Sequence, residues 1–447
     1  MLMPVDEKRR RTWCLALCLL IALAVRLLAL QQFSSVERFH GDEGAYQKTA
    51  TQILEGRGHP GSLRPPAYPF FIAAVYTAFG KSPLALRIAQ ILVSLAAVLA
   101  VFRITAARYG TRAATLSGLT CALAPSLVHY THFLWSECLA TTLLILFFWA
   151  LDGYDRTQRS GLMALAGVLL GISALTRETW AFFGVIVVLW MLWRHRPHWR
   201  EALLPAGVFI GCMALAVLPW TIRNYVVHDN FVLISTGRWY PIAQGNSLNE
   251  DDWLLGTVRM KEAREEVSHL DEFEQDRYWR PIALAAIRAE QPGWLFKKIV
   301  RNTSLLFQVR SQSVRYIERG WIETRPWRAY TILATSVAGH LLITALGLVA
   351  LWLVPGGWLK RVAVTAILYT LGVHVIAIAS SRYLVPLMPL FALYVGPLLA
   401  GRERMVSRDR LIGATLVLLA FAGAVIIRWG HDLGPALDAV NAISGGS

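Results

Sequence analysis

Long apolar blocks alternate with short charged loops along most of the chain. A helix needs about 20 predominantly apolar residues to cross the hydrocarbon core of a bilayer, and many of these blocks approach that length. The pattern therefore predicts an all-α polytopic membrane protein with about 11 transmembrane helices. The predicted spans are residues 13–30, 85–106, 113–130, 134–151, 161–175, 180–193, 203–220, 329–354, 362–380, 384–399 and 411–427.

Two segments between predicted spans are too long to be simple turns, and such loops on a rigid scaffold tend to carry function. In the first, residues 31–83, an apolar stripe at helical spacing predicts a helix over 42–54. The apolar stretch 66–79 is short, which indicates a second interfacial helix. The stripe consists of Tyr46, Ala50, Ile53 and Leu54.

The second long segment, residues 221–327, has a polar middle over 260–280 and an amphipathic part over 281–307. This pattern predicts a modest outer domain whose amphipathic part packs on the membrane helices. The predicted organisation is an N-terminal transmembrane module, the outer domain, a C-terminal group of transmembrane helices and a short tail. These four parts occupy residues 1–220, 221–327, 328–430 and 431–447.

The formal net charge of +15 reflects where the basic residues lie. Arginines cluster in alternate loops, as the positive-inside rule requires, so one orientation satisfies all of them. It places the N-terminus in the cytoplasm and both long segments in the periplasm, for a multi-pass protein of the bacterial cytoplasmic (inner) membrane. Nucleic acid is excluded as a partner, because the basic residues do not form a solvated face with interleaved aromatics.

Two adjacent carboxylates, Asp42 and Glu43, follow directly after the first predicted span. Both lie on the same helix face as Tyr46 at the start of the predicted helix 42–54. The field at a helix N-terminus favours the charged carboxylate, which suits a general base. Simple capping of the helix is the alternative interpretation.

Further charged side chains stand at the predicted outer ends of other spans. Arg64 and Tyr68 belong to a proline-rich stretch, and the prolines stiffen the backbone that presents the arginine. Together these residues form a set that places carboxylates and arginines near one plane. The arginines could bind an anionic lipid headgroup, and a carboxylate could take the proton from a hydroxyl group. Taken singly, each charge could equally mark a helix end. The other members of the set are Glu137, Arg177, Glu178, Arg223 and Arg382.

In their order along the chain, these motifs resemble the GT-C superfamily of glycosyltransferases. The similar types are the protein O-mannosyltransferases and the lipid A aminoarabinose transferase, and the resemblance spans residues 13–399. The motifs are Asp-Glu at 42–43, Arg-Pro-Pro-Ala-Tyr-Pro at 64–69, Ser-Glu at 136–137, Thr-Arg-Glu at 176–178, Pro-Trp-Thr-Ile-Arg-Asn-Tyr at 219–225 and Arg-Tyr-x-x-Pro-x-x-Pro at 382–389.

The resemblance implies an inverting enzyme that moves a hexosyl or pentosyl group from a polyprenyl-phosphate donor. The acceptor would be a hydroxyl of a lipid, glycan or protein at the outer face of the bilayer. By resemblance Asp42 is the base, Glu43 and Glu137 are supporting carboxylates, and Arg64 binds the donor phosphate. We assign Arg177, Arg223 and Arg382 to the phosphate as well. Tyr46, Tyr68 and Glu178 are assigned supporting roles.

No cofactor and no metal is expected to be required. Asp251 and Asp252 could mimic an acidic metal-binding motif of some GT-C enzymes, but solvated loop acids are the simpler interpretation. Trp239, Tyr240 and Trp253 are candidates for stacking on a sugar.

Two other functions stay open. A transporter or lipid-linked sugar flippase would place ionisable groups near the bilayer midplane, often in two related halves. A non-catalytic assembly protein would leave the outward cluster of charges without a role.

Overall fold

The computed structural model describes residues 5–33, 42–246, 263, 265–319, 325–401 and 407–445. This part of the chain is all-α, which confirms the predicted fold class. Its helices, numbered in chain order, are α1 Val5–Phe33, α2 Asp42–Leu54, α3 Ala67–Phe79, α4 Pro83–Tyr109, α5 Thr111–Leu123, α6 Pro125–His129, α7 Glu137–Thr157, α8 Ser160–Thr176, α9 Phe183–Arg194, α10 Leu203–His228, α11 Trp239–Asn246, α12 Glu272–Ala289, α13 Trp294–Leu306, α14 Gln312–Glu318, α15 Pro326–Leu353, α16 Trp358–Ile376, α17 Met388–Leu399 and α18 Arg408–Gly445.

Every predicted span coincides with helical structure, but within the described residues only 8 helices are long and apolar enough to cross a membrane. The spans predicted over 113–130, 161–175 and 180–193 correspond to the shorter helices α5, α8 and α9. In the first of these, Ala124 separates α5 from the short α6, which begins at Pro125. The eight are Val5–Gln31, Pro83–Tyr109, Glu137–Thr157, Trp199–His228, Pro326–Leu353, Trp358–Ile376, Ser381–Leu399 and Arg408–Asp438.

Small residues let helices of the bundle approach closely. Helix α8 packs between α7 and α10. Gly167 and Gly171 of α8 face the α10 backbone, where an added Cβ would overlap the carbonyl oxygens of Phe209 and Met213. Close backbone approach at small residues spaced four apart is a common way to associate helices in lipid.

The two interfacial helices predicted in the first outer loop are present as α2 and α3. They pack against each other through the predicted apolar stripe, in a cluster with Ala50, Tyr68 and Ile72 buried at its centre. This packing fixes the direction of α2, so it also fixes where its first residue, Asp42, lies.

The second long segment differs in detail from its prediction. Helix α10 continues to His228, so the segment leaves the bundle later than residue 221. The amphipathic stretch 281–307 is divided between α12, which ends at Ala289, and α13, which begins at Trp294. Helices α11 and α12 pair around buried Trp279 and Ala283, while α14 packs on α15 and α18. Helix α18 extends past the predicted span end at 427, to Gly445.

Candidate functional site

Asp42, the first residue of α2, is held by two arginines. Arg64 Nη2 donates to Asp42 Oδ1 at 3.0 Å, and Arg382 Nη1 donates to Oδ2 at 3.0 Å. Burial alone would raise the pKa of this carboxyl group, but the charges and hydrogen bonds of Arg382 and Arg64 hold it well below its usual range. Asp42 is therefore ionised at neutral pH.

Glu137 forms the second acidic centre, beside the first. Arg177 Nη1 donates to Glu137 Oε1 at 2.6 Å, and Arg382 Nε lies 3.9 Å from the same oxygen. The Glu137 side chain is only 2% exposed, so the pair is largely shielded from solvent. Because Arg382 contacts both carboxylates, the two centres form one charged cluster.

The four side chains of this cluster come from four different segments of the chain. Asp42 and Glu137 are the first residues of α2 and α7, where a helix N-terminus favours negative charge. Arg177 directly follows α8, and Arg382 lies in the 3₁₀ turn Ser381–Leu387 after α16. All four predicted residues therefore meet at one end of the helix bundle.

Glu43 lies next to Asp42 in sequence but serves another contact. It is 1% exposed, and its Oε1 accepts the backbone N–H of Leu134 at 3.0 Å. The charge of Arg87 and the hydroxyl of Tyr316 are close to it. The hydrogen bond of Glu43 therefore connects α2 to the turn before α7, whereas Asp42 belongs to the charged cluster.

The three residues assigned supporting roles occupy different surroundings. Tyr68 is fully buried and donates to Gln90 Oε1 at 2.9 Å, which makes it part of the packing beneath the site. Tyr46 packs edge-on against Tyr68, with 5.0 Å between ring centroids, and Arg64 lies over its ring. Glu178 accepts a hydrogen bond from Ser235, and its burial raises the pKa of its carboxyl group.

Arg223 is not brought to the cluster, although it was predicted to bind the donor phosphate. Its guanidinium donates to the carbonyl oxygens of Gly61 and His59 and to Ser62 Oγ, and stacks over the Trp220 ring. The sequence missed this because the side chain at the end of α10 turns toward the 59–62 stretch of the first outer loop.

Two cavities meet at the cluster, and Asp42 and Arg382 line both. The larger has a volume of about 890 Å³ and a mostly apolar wall that includes Phe182, Phe231 and Val373. Its polar wall is formed by Tyr46, Glu137, Arg177, Glu178, Ser235 and Arg238.

The smaller cavity has a volume of about 400 Å³ and a more polar wall. Arg64, Trp135 and Tyr240 line it, as do charged residues of α12 and of the α14 region. These are Glu272, Asp276, Arg315 and Arg319.

Several lining residues were not assigned a role from the sequence, although Tyr383 belongs to the motif at 382–389. Tyr383 lies beneath both arginines, with its ring centroid 5.3 Å from Arg177 Cζ and 5.0 Å from Arg382 Cζ, and it stacks on His374 at 4.0 Å. Arg315 lies on the short helix α14 and Arg319 directly follows it, in a stretch without a distinctive motif, so only the tertiary fold shows that they face the site. Tyr240 lines the smaller cavity as a sugar-stacking residue would, while Trp253 is outside the described residues.

Among the described residues, no three or more His, Cys, Asp or Glu side chains gather as a metal site would require. Asp251 and Asp252, the acids that could mimic a metal-binding motif, lie outside the described part of the chain. Independence from a metal stays a prediction.

Comparison with known proteins supports the resemblance seen in the motifs. Residues 63–221 match the family model described as dolichyl-phosphate-mannose-protein mannosyltransferase. This stretch is about a third of the chain and contains Arg64, Glu137, Arg177 and Glu178. A comparison with curated proteins finds no match.

Solved structures share the fold at low sequence identity. The Archaeoglobus fulgidus oligosaccharyltransferase in its apo form is 15% identical, with a TM-score of 0.51 over 98% of this chain and 56% of that one. The AglB oligosaccharyltransferase of the same organism, in complex with an inhibitory peptide and a dolichol-phosphate, is 13% identical with a TM-score of 0.50 and the same coverage. ArnT from Cupriavidus metallidurans, bound to undecaprenyl phosphate, is 16% identical with a TM-score of 0.43, over 94% of this chain and 79% of that one.

The chain spans about half the length of the oligosaccharyltransferases that it matches. The chain shares its fold with these oligosaccharyltransferases, and this shared fold and the partial family match agree with the resemblance inferred from the motifs. The likeness to these structures establishes the fold alone.

Proposed function

We propose that the protein is an inverting glycosyltransferase that moves a sugar from a polyprenyl-phosphate carrier to an acceptor hydroxyl. The observation that carries the proposal is the position of Asp42 and Arg382 between two cavities of different character. A base and a cation at such a boundary can serve a donor on one side and an acceptor on the other. The partial family match and the dolichol-phosphate in the AglB complex support this class of donor.

The larger cavity suits the donor. Phe182 and Phe231, on its apolar side, are 65% and 74% exposed, so that side reaches the outer surface of the bundle where lipid would lie. A polyprenyl chain can enter from the bilayer there, while its phosphate meets Arg177 and Arg382. Arginine binds phosphate in bidentate geometry and keeps its charge in a shielded site.

Asp42 can act as the base if the donor changes its partners. Paired with two arginines, the carboxylate is ionised but has little affinity for a proton. A phosphate bound in the larger cavity competes for Arg382, so the hold of this arginine on Asp42 weakens and the pKa of the Asp42 carboxyl group rises toward that of an effective base.

The proposed reaction is a single displacement. The acceptor oxygen approaches from the smaller cavity and bonds to the anomeric carbon as its proton passes to Asp42. The bond from that carbon to the phosphate oxygen breaks, and the polyprenyl phosphate leaves with the electron pair. Arginines already in place stabilise the charge that develops on the leaving group, and attack opposite that group inverts the anomeric configuration.

We place the site end of the bundle at the periplasmic face of a bacterial cytoplasmic membrane, and the positive-inside pattern supports this orientation. A lipid-linked sugar flippase is the second candidate, because the larger cavity could hold a headgroup without chemistry. Whether the group moved is a hexose or a pentose follows from the donor that reacts.

The test is transfer by the purified protein in proteoliposomes, with radiolabelled polyprenyl-phosphate sugars and a membrane extract as acceptor source. We expect label to move from the carrier to an acceptor, and to stay on the carrier with Asp42→Asn. Asp229→Asn is the matched control, because Asp229 is exposed, lines neither cavity and has a left-handed φ of 49° that Asn tolerates. Label that crosses the bilayer while still attached to its carrier would favour the flippase.

A further inference from the structure

The walls of the smaller cavity separate positive from negative charge. Glu272 and Asp276 lie one turn apart on α12, and both already accept hydrogen bonds from the surrounding chain. Glu272 accepts from the Ser62 N–H at 3.0 Å and from Thr236 Oγ1 at 2.7 Å. Asp276 accepts the Trp239 N–H at 2.9 Å. The two carboxylates of this acidic wall thus already serve as hydrogen-bond acceptors for other parts of the two outer segments.

The basic wall is formed by the α14 region. Arg315 and Arg319 are four residues apart and both line the cavity. Arg315 is 3% exposed, and burial together with the charge of Arg310 lowers the pKa of its guanidinium to about 9. Arg310 Nε and Nη2 donate to Glu318 at 2.9 and 2.7 Å, and the charges of Glu318 and Asp432 partly offset the effect of burial on the pKa of Arg315. An anion in the cavity would stabilise the charge on this wall.

Aromatic side chains complete the cavity. Trp135 and Tyr240 line it, and Arg382 Cζ lies 5.1 Å from the centre of the Trp135 ring. Aromatic faces pack well on the C–H faces of a sugar ring. A volume of about 400 Å³ falls within the range of about 300–1,000 Å³ typical of small-molecule sites.

From this arrangement we infer that the smaller cavity binds an acceptor saccharide that carries an anionic group, a phosphate or a carboxylate, which Arg315 and Arg319 recognise. The inference rests on the proposed function and names the acceptor class for it. The aromatic residues bind the sugar, and the arginines hold the anion away from Asp42. The acceptor hydroxyl can then approach the base without placing a second negative charge beside it. Arg315 and Arg319 are thus specificity-determining residues.

The experiment measures equilibrium binding of small probes to the full-length protein in detergent by tryptophan fluorescence, since Trp135 and Trp279 line the cavity. The probes are glucose 1-phosphate, glucuronate, glucose and undecaprenyl phosphate. We expect one or both anionic sugars to bind at least about tenfold more tightly than glucose. Preference for the phosphate or for the carboxylate then identifies the anion.

The variant is Arg319→Gln, because Arg319 is the less buried of the two arginines. It should weaken anionic-sugar binding about tenfold or more and leave undecaprenyl phosphate binding within about twofold. Arg315→Lys, which replaces the planar guanidinium by a single ammonium group, is the second variant and should weaken binding of the same probes. Thermal unfolding of each variant shows whether the fold is retained.

Equal binding of glucose and the anionic sugars, or no binding of either anionic sugar, would overturn the inference and leave the donor assignment intact. An equal loss of undecaprenyl phosphate binding in Arg319→Gln would also overturn it, because the arginines would then belong to the donor site. Failure of the wild-type protein to bind undecaprenyl phosphate at all would overturn the proposed function and this inference together.

Discussion

Arg382 Nη1 lies 3.0 Å from Asp42 Oδ2, and its Nε lies 3.9 Å from Glu137 Oε1, so one guanidinium contacts both acidic centres of the site. The residue lies in a short turn after α16, more than 240 residues from either carboxylate in sequence. Through these two contacts, a phosphate bound to Arg382 in the larger cavity would change the surroundings of the proposed base, Asp42.

The pH dependence of transfer should differ between free enzyme and donor complex. In the free enzyme the arginines hold the pKa of Asp42 well below its usual range, so kcat/KM should not fall with acid until far below neutral pH. Once the donor phosphate draws Arg382 away, the pKa of the Asp42 carboxyl group rises. The acid limb of kcat should therefore lie at higher pH than that of kcat/KM. If the acid limbs of kcat and kcat/KM coincide in steady-state pH profiles, the donor does not change the pKa of Asp42.

Replacing Arg382 by Lys should weaken donor binding although the charge is kept. Lysine cannot contact Asp42 and Glu137 at once in the planar geometry of a guanidinium. We expect undecaprenyl phosphate to bind about tenfold more weakly, which corresponds to about 1.4 kcal/mol, and kcat to fall as well. A filter-binding titration measures the affinity. Unchanged affinity would place the phosphate away from Arg382.

Arg223→Gln should behave differently from the cluster arginines. Its partners are the backbone of residues 59–61 and Ser62, so the variant should lose about 1–3 kcal/mol of unfolding free energy and keep its donor affinity. Thermal unfolding and donor titration on the same sample separate the two effects. A donor affinity reduced as much as in Arg382→Lys would restore Arg223 to the phosphate site.

Lys298 should make stability depend on pH in the alkaline range. Burial and the charge of Arg301 lower the pKa of its ammonium from 10.5 to about 7. Between these values the unfolded chain binds a proton that the folded protein has released, so this residue makes stability rise with pH from about 7 to about 10.5. Lys298→Met should remove that rise. Unfolding in detergent at pH 7 and pH 9 measures it, and an unchanged slope would contradict the burial of the amine.

Lys298 also helps to position the site, because it contacts the chain directly after α16. Lys298 Nζ donates to the carbonyl oxygens of Gly245 and Ala377, at 2.5 and 3.3 Å. Asn302 Nδ2 donates to Ala377 O at 2.9 Å. These contacts hold the chain that leads into Arg382, so Lys298→Met should also lower kcat more than it changes donor affinity.

How far the sequence anticipates the structure depends on the range of the interactions involved. Hydrophobic blocks specify the helices α2 and α3 locally, and the charges at helix ends identify Asp42, Glu137, Arg177 and Arg382 as one group. Glu43 and Arg223 have the same sequence context, but their side chains turn toward Leu134 and Ser62. Such choices depend on which backbone donors and acceptors lie opposite in the folded chain. Arg315 and Arg319 could not be found, because the placement of α14 is a tertiary effect.

The most direct test of the account is single-turnover transfer by Asp42→Asn at saturating donor, compared with wild type and with Asp229→Asn. The amide occupies nearly the same space but cannot take up the acceptor proton. We predict that Asp42→Asn still binds undecaprenyl phosphate, with a transfer rate lowered by at least about a hundredfold, while Asp229→Asn reacts like wild type. Transfer by Asp42→Asn within about tenfold of wild type, with donor binding intact, would contradict the assignment of Asp42 as the base.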